Sequence, residues 1–264
     1  MTRYNSSEYR VVPLLDRIKG DIDAINRFLS LVGVSVDSMP ITYFYGANEK
    51  KLKPTKQHLL SLVDYIRDRD HTSSKEEKEK YLKTLGRRPE RYTLFFGSKE
   101  ERAKVAEEAK DLIEMGYDTL SANSKVWYVF EEFSHPDVFI EGEDYIIICE
   151  AKWTEREITS HTKHLPANGE QRLQMLRHIQ GALNYSDKCV IAFYIVDAEC
   201  KYLKDLTKEA FATSLEKETI PISPEERSRI IDSFYGFTTW QEIKKCVSDV
   251  PFLSKEEIDR IRMA

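Results

Sequence analysis

The chain of 264 residues contains no apolar run approaching the roughly 18 residues needed to span a bilayer. Its first fifteen residues, MTRYNSSEYRVVPLL, lack the apolar core and small-residue cleavage site of a secretory signal, so a cytoplasmic location is the expectation. Cysteine is scarce. Cys149, Cys189, Cys200 and Cys246 are scattered without a CxxC pair, which excludes a zinc knuckle and a disulfide scaffold as organising devices. Neither GxxxxGK[ST] nor GxGxxG occurs, so no phosphate-cradling loop for ATP-driven work is present. Internal repeats and low-complexity segments are also missing.

What is there reads as a soluble globular protein. Hydrophobic residues make up 41% and charged residues 32%, enough apolar material for a sizeable core. The net charge of -5 conceals an asymmetry. Residues 1 to 97 hold 18 Lys+Arg against 13 Asp+Glu, whereas residues 98 to 264 hold 22 against 32. Basic clusters stand at Lys50, Lys51, Lys53 and Lys56, and again at Lys83, Arg87, Arg88 and Arg91. An acidic chain does not coat nucleic acid indiscriminately, but a locally basic surface steers a polyanion. Charge runs of this kind also serve simply to solvate helix faces.

Three regions follow from periodicity. Residues 1 to 97 read mostly as helices, with apolar spacings of three and four in LLDRIKGDIDAINRFLSLV and TKQHLLSLVDYIRD. Residues 98 to 200 alternate. A helix starts at Ser98, where SKEE offers a capping box, and ends near Gly116. Strand-like runs follow at 125–130, 137–141 and 145–153, then a helix from about 170 to 185, then a strand in KCVIAFYIV. Residues 201 to 264 read as short helices cut by Pro221, Pro224, Gly236 and Pro251. The class is α/β, with an α-β-β-β-α-β core whose mixed central sheet is flanked by helices, between helical N- and C-terminal regions.

The segment HPDVFIEGEDYIIICEAKW, 135 to 153, carries the chemistry. Strand 145–153 is apolar on both faces, the signature of a central strand, yet it ends in Glu150 and Lys152. Alternation puts those two side chains on one face. If the strand that begins at Asp137 pairs with it antiparallel through the turn at 142–144, Asp137 and Glu150 meet at one end of the sheet. Charges placed there are costly unless they pair or bind a metal. A hard divalent cation with oxygen ligands resolves the repulsion between two carboxylates. A structural ion pair is the other reading.

Pro136-Asp137, a gap, and Glu150-Ala151-Lys152 closing a hydrophobic strand resemble the PD-(D/E)xK nuclease superfamily, of restriction-endonuclease-like fold. The resemblance covers roughly residues 98 to 198 and implies a Mg²⁺- or Mn²⁺-dependent nuclease acting on nucleic acid, with DNA expected before RNA. It implies that Asp137 and Glu150 are metal ligands, that the Ala151 backbone carbonyl is a further ligand, and that Lys152 is the catalytic lysine. Many members add a glutamate from the first core helix. Val105, Ala109, Leu112 and Ile113 form the apolar face expected for helix 98–116; Glu108 and Glu101 flank it, while Glu107 and Glu114 lie opposite. Glu101 caps the helix, so Glu108 is the preferred ligand, with Glu131 and Glu132 as alternatives. Gln171 and Arg172 fall in the first turn of the later helix, and Arg172 and Arg177 are candidate phosphate contacts. The QxxxY motif of RecB-like members is not matched, since Met175 follows Gln171 and His178 follows Gln174 at that spacing.

Other candidates are weaker. His161 and His164 form an HxxH pair without a third ligand nearby, His135 is a neighbour of the PD pair, and Cys149 reads as a small buried hydrophobe. No membrane partner is expected, and a homodimer is compatible with the sequence. The competing function is a catalytically inactive nuclease-fold protein that binds nucleic acid or serves assembly.

Overall fold

The computed structural model describes residues 7–68, 75, 76, 79, 93, 96–119, 133–152, 172–218, 220–247 and 250. Eight α-helices and five strands are described: α1 (Val12–Ile18), α2 (Ile22–Ser30), β1 (Thr42–Tyr45), α3 (Lys56–Asp68), α4 (Lys99–Gly116), β2 (Val138–Glu141), β3 (Tyr145–Ala151), α5 (Gln174–Tyr185), β4 (Cys189–Val196), α6 (Lys208–Leu215), α7 (Pro224–Ser233), β5 (Phe234–Thr239) and α8 (Trp240–Cys246). The strands form one mixed sheet in the order β1-β2-β3-β4-β5. β1 with β2 and β2 with β3 are antiparallel, while β3 with β4 and β4 with β5 are parallel.

β3 is central and every residue of it is buried, as its uninterrupted apolar run requires. Alternation divides it between two layers. Ile147, Cys149 and Ala151 face α1, α2 and α8, packing with Leu14, Phe28 and Ile243. Ile146 and Ile148 face α5, packing with Leu176 and Ile179. Glu150 has the parity of Ile146 and Ile148 and therefore lies on the α5 side, as does Asp137, two residues before Phe139 of the same layer. That parity explains why α5 supplies the partners of the site.

Two strands were hidden in regions that read as helical. β1, TYFY, is four residues of aromatic and β-branched type, too short for its alternation to register against the helical pattern around it. β5 begins directly after α7 without an intervening loop. Its Gly236, which reads as a helix breaker, sits at φ 83° where the ladder slips: Ala192 faces Phe234 but Tyr194 faces Phe237. An extra residue in a left-handed conformation makes a β-bulge, and glycine adopts it without penalty. The sheet thus draws strands from all three sequence regions, and the N- and C-terminal regions are not purely helical.

The N-terminal stretch LLDRIKGDIDAINRFLSLV, of helical apolar spacing, forms two helices, broken at Gly20 (φ 82°), with Asp21 capping α2 by accepting the Ala24 N–H. α4 has the expected capping box: the Ser98 hydroxyl accepts the Glu101 N–H and the Glu101 carboxylate accepts the Ser98 N–H. Its buried stripe is Arg102, Ala106, Ala109 and Ile113, packed with Leu59, Leu62 and Val63 of α3. The expected face included Leu112, which is instead 47% exposed. α5 starts at Gln174 rather than near 170. The strand expected at 125–130 lies outside the described residues.

Candidate functional site

Asp137, Glu150 and Lys152 are brought together at the C-terminal end of β3. The turn after β2 returns the chain antiparallel, pairing Val138 with Cys149, so Asp137 arrives beside the last residues of β3. Its Oδ2 accepts the Ala151 N–H at 2.8 Å. Within a strand the N–H and C=O of one residue leave on the same edge, so the Ala151 carbonyl also leaves toward Asp137. On the other edge, Lys152 N–H donates to the Ile195 carbonyl at 2.8 Å, which extends the β3–β4 ladder by one bond. The Trp240 indole N–H, from the first turn of α8, donates to the Lys152 carbonyl at 3.3 Å.

The Glu150 carboxylate is only 3% exposed and both its oxygens are engaged. Lys152 Nζ lies 2.8 Å from Oε1 and His178 Nε2 lies 3.0 Å from Oε2. Lys152 Nζ also donates to Gln174 Oε1 at 3.2 Å. His178 Nδ1 meets the Ser134 hydroxyl, and Ser134 exchanges two main-chain hydrogen bonds with Leu52, at 2.8 and 2.9 Å.

The electrostatics separate the two carboxyls. Burial alone would raise Glu150, but the Lys152 ammonium and the His178 hydrogen bond outweigh it and hold Glu150 at about 2. Asp137 moves the other way, well above its ordinary value, because burial and the adjacent Glu150 charge both disfavour its anion; the Ala151 N–H and Lys152 only partly offset this, and Glu49 adds to the rise. Burial holds His178 below its ordinary range despite Glu150, so it is neutral near pH 7. Since an ionised carboxylate only accepts, Nε2 carries the His178 proton and Nδ1 accepts from Ser134. One anion, one cation and one neutral imidazole balance. Asp137 beside them holds its proton more tightly than an ordinary carboxyl, and added positive charge would favour its anion.

That demand is the test of fit for a divalent cation. Asp137, Glu150 and the Ala151 carbonyl are hard oxygen donors at the same end of β3, and a cation there would offset the charge that opposes Asp137 ionisation. Each Glu150 oxygen meets one protein donor, Lys152 or His178, and an ionised carboxylate offers about four lone-pair sites, so Glu150 can join without losing a partner. Among the described residues, no group of three or more His, Cys, Asp and Glu side chains is placed to hold a metal ion. Glu108 lies on the exposed face of α4, away from the buried stripe. Glu101 is occupied in its cap.

The remaining candidates separate clearly. Arg172 precedes α5 rather than opening it, and its side chain is buried in an ion pair with Glu218 at 3.4 Å, a structural position rather than a phosphate contact. Arg177 is half-buried, and its charge reaches both His135 and His178. His135 is exposed and lies 3.5 Å from Glu49. Cys149 is fully buried on the opposite face from Glu150, a small hydrophobe whose thiol burial pushes up. Lys83, Arg87, Arg88, Arg91, Glu131, Glu132, His161, His164 and Gln171 lie outside the described residues. Gln174, His178, Ser134 and Trp240 are the participants that sequence reasoning missed. Their one visible signal is Gln174 and His178, spaced by four on an otherwise apolar helix face.

A scan against protein-family models finds no match, and neither do searches of the curated proteins and of the solved structures. Among the described residues, no helix is long and apolar enough to cross a membrane.

Proposed function

We propose that the protein is a metal-dependent nuclease, hydrolysing phosphodiester bonds in nucleic acid with DNA as the expected substrate, on a restriction-endonuclease-like core. One observation carries this reading: Asp137, Glu150 and Lys152, three ionisable residues that are costly to place there, converge at the end of the central buried strand. The Asp137 carboxyl has need of positive charge there, which a Mg²⁺ or Mn²⁺ held by Asp137, Glu150 and the Ala151 carbonyl would meet. Such an ion, when bound, activates water and neutralises charge developing on a phosphate. Lys152, fixed by Glu150 and Gln174, presents its ammonium where it orients the attacking water or stabilises the phosphate as a point charge. The basic residues of the N-terminal region would form one wall of the substrate groove.

A second reading has its own support. Both Glu150 oxygens already have protein partners, as in a closed structural cluster, which suits an inactive nuclease-fold protein used for binding or assembly. Incubating plasmid, linear duplex and RNA with Mg²⁺, Mn²⁺ or EDTA separates the two. The nuclease reading expects cleavage with either metal, none with EDTA, and none in Asp137→Asn or Lys152→Ala. Binding without cleavage in every condition would favour the second.

A further inference from the structure

His178 is 1% exposed on a helix face otherwise packed with Met175, Leu176 and Ile179. An aliphatic side chain would fill this space without the cost of burying two ring nitrogens. Both nitrogens are satisfied, and in a fixed direction. The Ser134 hydroxyl donates to Nδ1, and Nε2–H donates to Glu150 Oε2 at 3.0 Å. Ser134 is itself held, since its N–H and C=O both bond to Leu52, and it lies three residues before Asp137 on the same segment. One turn earlier on α5, Gln174 holds Lys152 in the same way. The helix therefore presents an i,i+4 pair, each member addressing one partner of the Glu150–Lys152 pair.

We infer that His178 is a positioning residue: through the Nε2–H tautomer selected by the acceptor-only Glu150 carboxylate, with the ring held at Nδ1 by the Ser134 hydroxyl, it locks the rotation of that carboxylate and leaves Oε1 as the edge facing Lys152. This rests on the nuclease reading for its catalytic consequence, though not for the tautomer. A rotating carboxylate would pull the Lys152 ammonium with it, because the two lie 2.8 Å apart. Outer-shell partners of this kind are typically worth about 10- to 100-fold in activity or metal affinity when removed.

The test uses the full chain, with His178→Phe, His178→Gln and Ser134→Ala. Phenylalanine keeps the bulk without the donor, whereas the glutamine amide can still donate to Oε2. Cleavage of a duplex oligonucleotide in Mg²⁺ should slow about 10- to 100-fold in the Phe variant. Affinity for the same duplex in Ca²⁺ should stay the same. The Gln variant should recover most of the rate, and Ser134→Ala should fall between the two. Nitrogen-15 NMR of the wild-type imidazole near pH 7 should show the proton on Nε2. Equal slowing in the Gln and Phe variants, a wild-type rate in the Phe variant, or a proton on Nδ1 would overturn the inference. If the Phe variant does not fold, the Ser134→Ala rate and the wild-type tautomer decide. A wild-type protein that cleaves nothing refutes the nuclease reading instead, and the tautomer signal then decides how Glu150 is held.

Discussion

Asp137 Oδ2 accepts the Ala151 N–H at 2.8 Å, so a side chain takes over the ladder where β2 has not yet begun. This single bond ties the entry of one strand to the exit of its neighbour. It also fixes Asp137 next to Glu150, whose negative charge opposes its own ionisation. A bond that organises the sheet therefore loads the site electrostatically. The same geometry supports the fold and creates an appetite for positive charge.

Asp137→Asn should accordingly stabilise the metal-free protein. The folded state raises the Asp137 carboxyl well above its ordinary 3.8, so the native state binds the proton more tightly than the unfolded chain. Its favourable contribution is complete below the unfolded value and is lost as pH rises toward the folded one. Asparagine keeps an oxygen for the Ala151 N–H without the charge. In EDTA, the melting temperature of the variant relative to wild type should climb with pH above about 4. Added Mg²⁺ should reverse the order, raising wild type by mass action and leaving the variant nearly unmoved. A variant less stable than wild type near pH 8 in EDTA would contradict the burial cost assigned to Asp137.

Lys152→Ala in EDTA should cost about 3–5 kcal/mol, since it leaves the buried Glu150 carboxylate short of its cation. Combining it with Glu150→Gln should return most of that loss, a coupling read from urea unfolding of the four proteins in the cycle. The sign with pH follows from Glu150, held at about 2 against an ordinary 4.5. Its contribution is complete above 4.5 and disappears as pH falls through about 2. The coupling should therefore shrink between neutral pH and about pH 3. With saturating Mg²⁺, the single variant should regain stability yet remain inactive.

Gly181→Ala probes how the site is anchored. In most helix interiors this exchange stabilises by about 0.8–1.0 kcal/mol. Here a Cβ would lie 2.7 Å from Leu52 Cβ, too close for either backbone to remain in place. The net effect should be a loss of about 1–3 kcal/mol in thermal or chemical unfolding. Leu52 also pairs with Ser134, so the displacement reaches His178 and should lower any cleavage rate beyond what stability explains. An alanine variant as stable as wild type would mean that α5 can shift freely past Leu52.

The parts legible in the sequence were those governed by local pattern. The two-sided apolar run of β3, the capping box at Ser98 and the shared parity of Glu150 and Lys152 each follow from spacing alone. β1 and β5 escaped because their pairing is long-range: four residues beside an edge, and a bulged strand running straight out of a helix. His178 escaped for a similar reason. Nothing in the helix sequence says that its polar face meets Glu150 until β3 and α5 are packed, whereas the i,i+4 spacing with Gln174 was visible throughout. Glu108 was chosen from helical angles, and the α3 contact rotated the buried stripe away from the arrangement assumed.

Substrate contact is tested by salt dependence, where the two kinds of arginine should behave differently. Arg172 is buried against Glu218, so Arg172→Ala should destabilise the protein while leaving the slope of log affinity against log salt unchanged. Each phosphate neutralised contributes about 0.9 to that slope for duplex DNA. Arg177 has its charge within reach of His135 and His178, and Arg177→Gln should lower the slope by about one such increment if a phosphate lies over the site. Neutralising Lys83, Arg87, Arg88 and Arg91 together should lower it further if, as proposed, they line the substrate groove. The measurement is fluorescence anisotropy with a labelled duplex in Ca²⁺ across a salt series. A slope that Arg172→Ala reduces and the quadruple variant does not would reverse the assignment, placing the anion at Arg172 and leaving the N-terminal cluster as a solvated face.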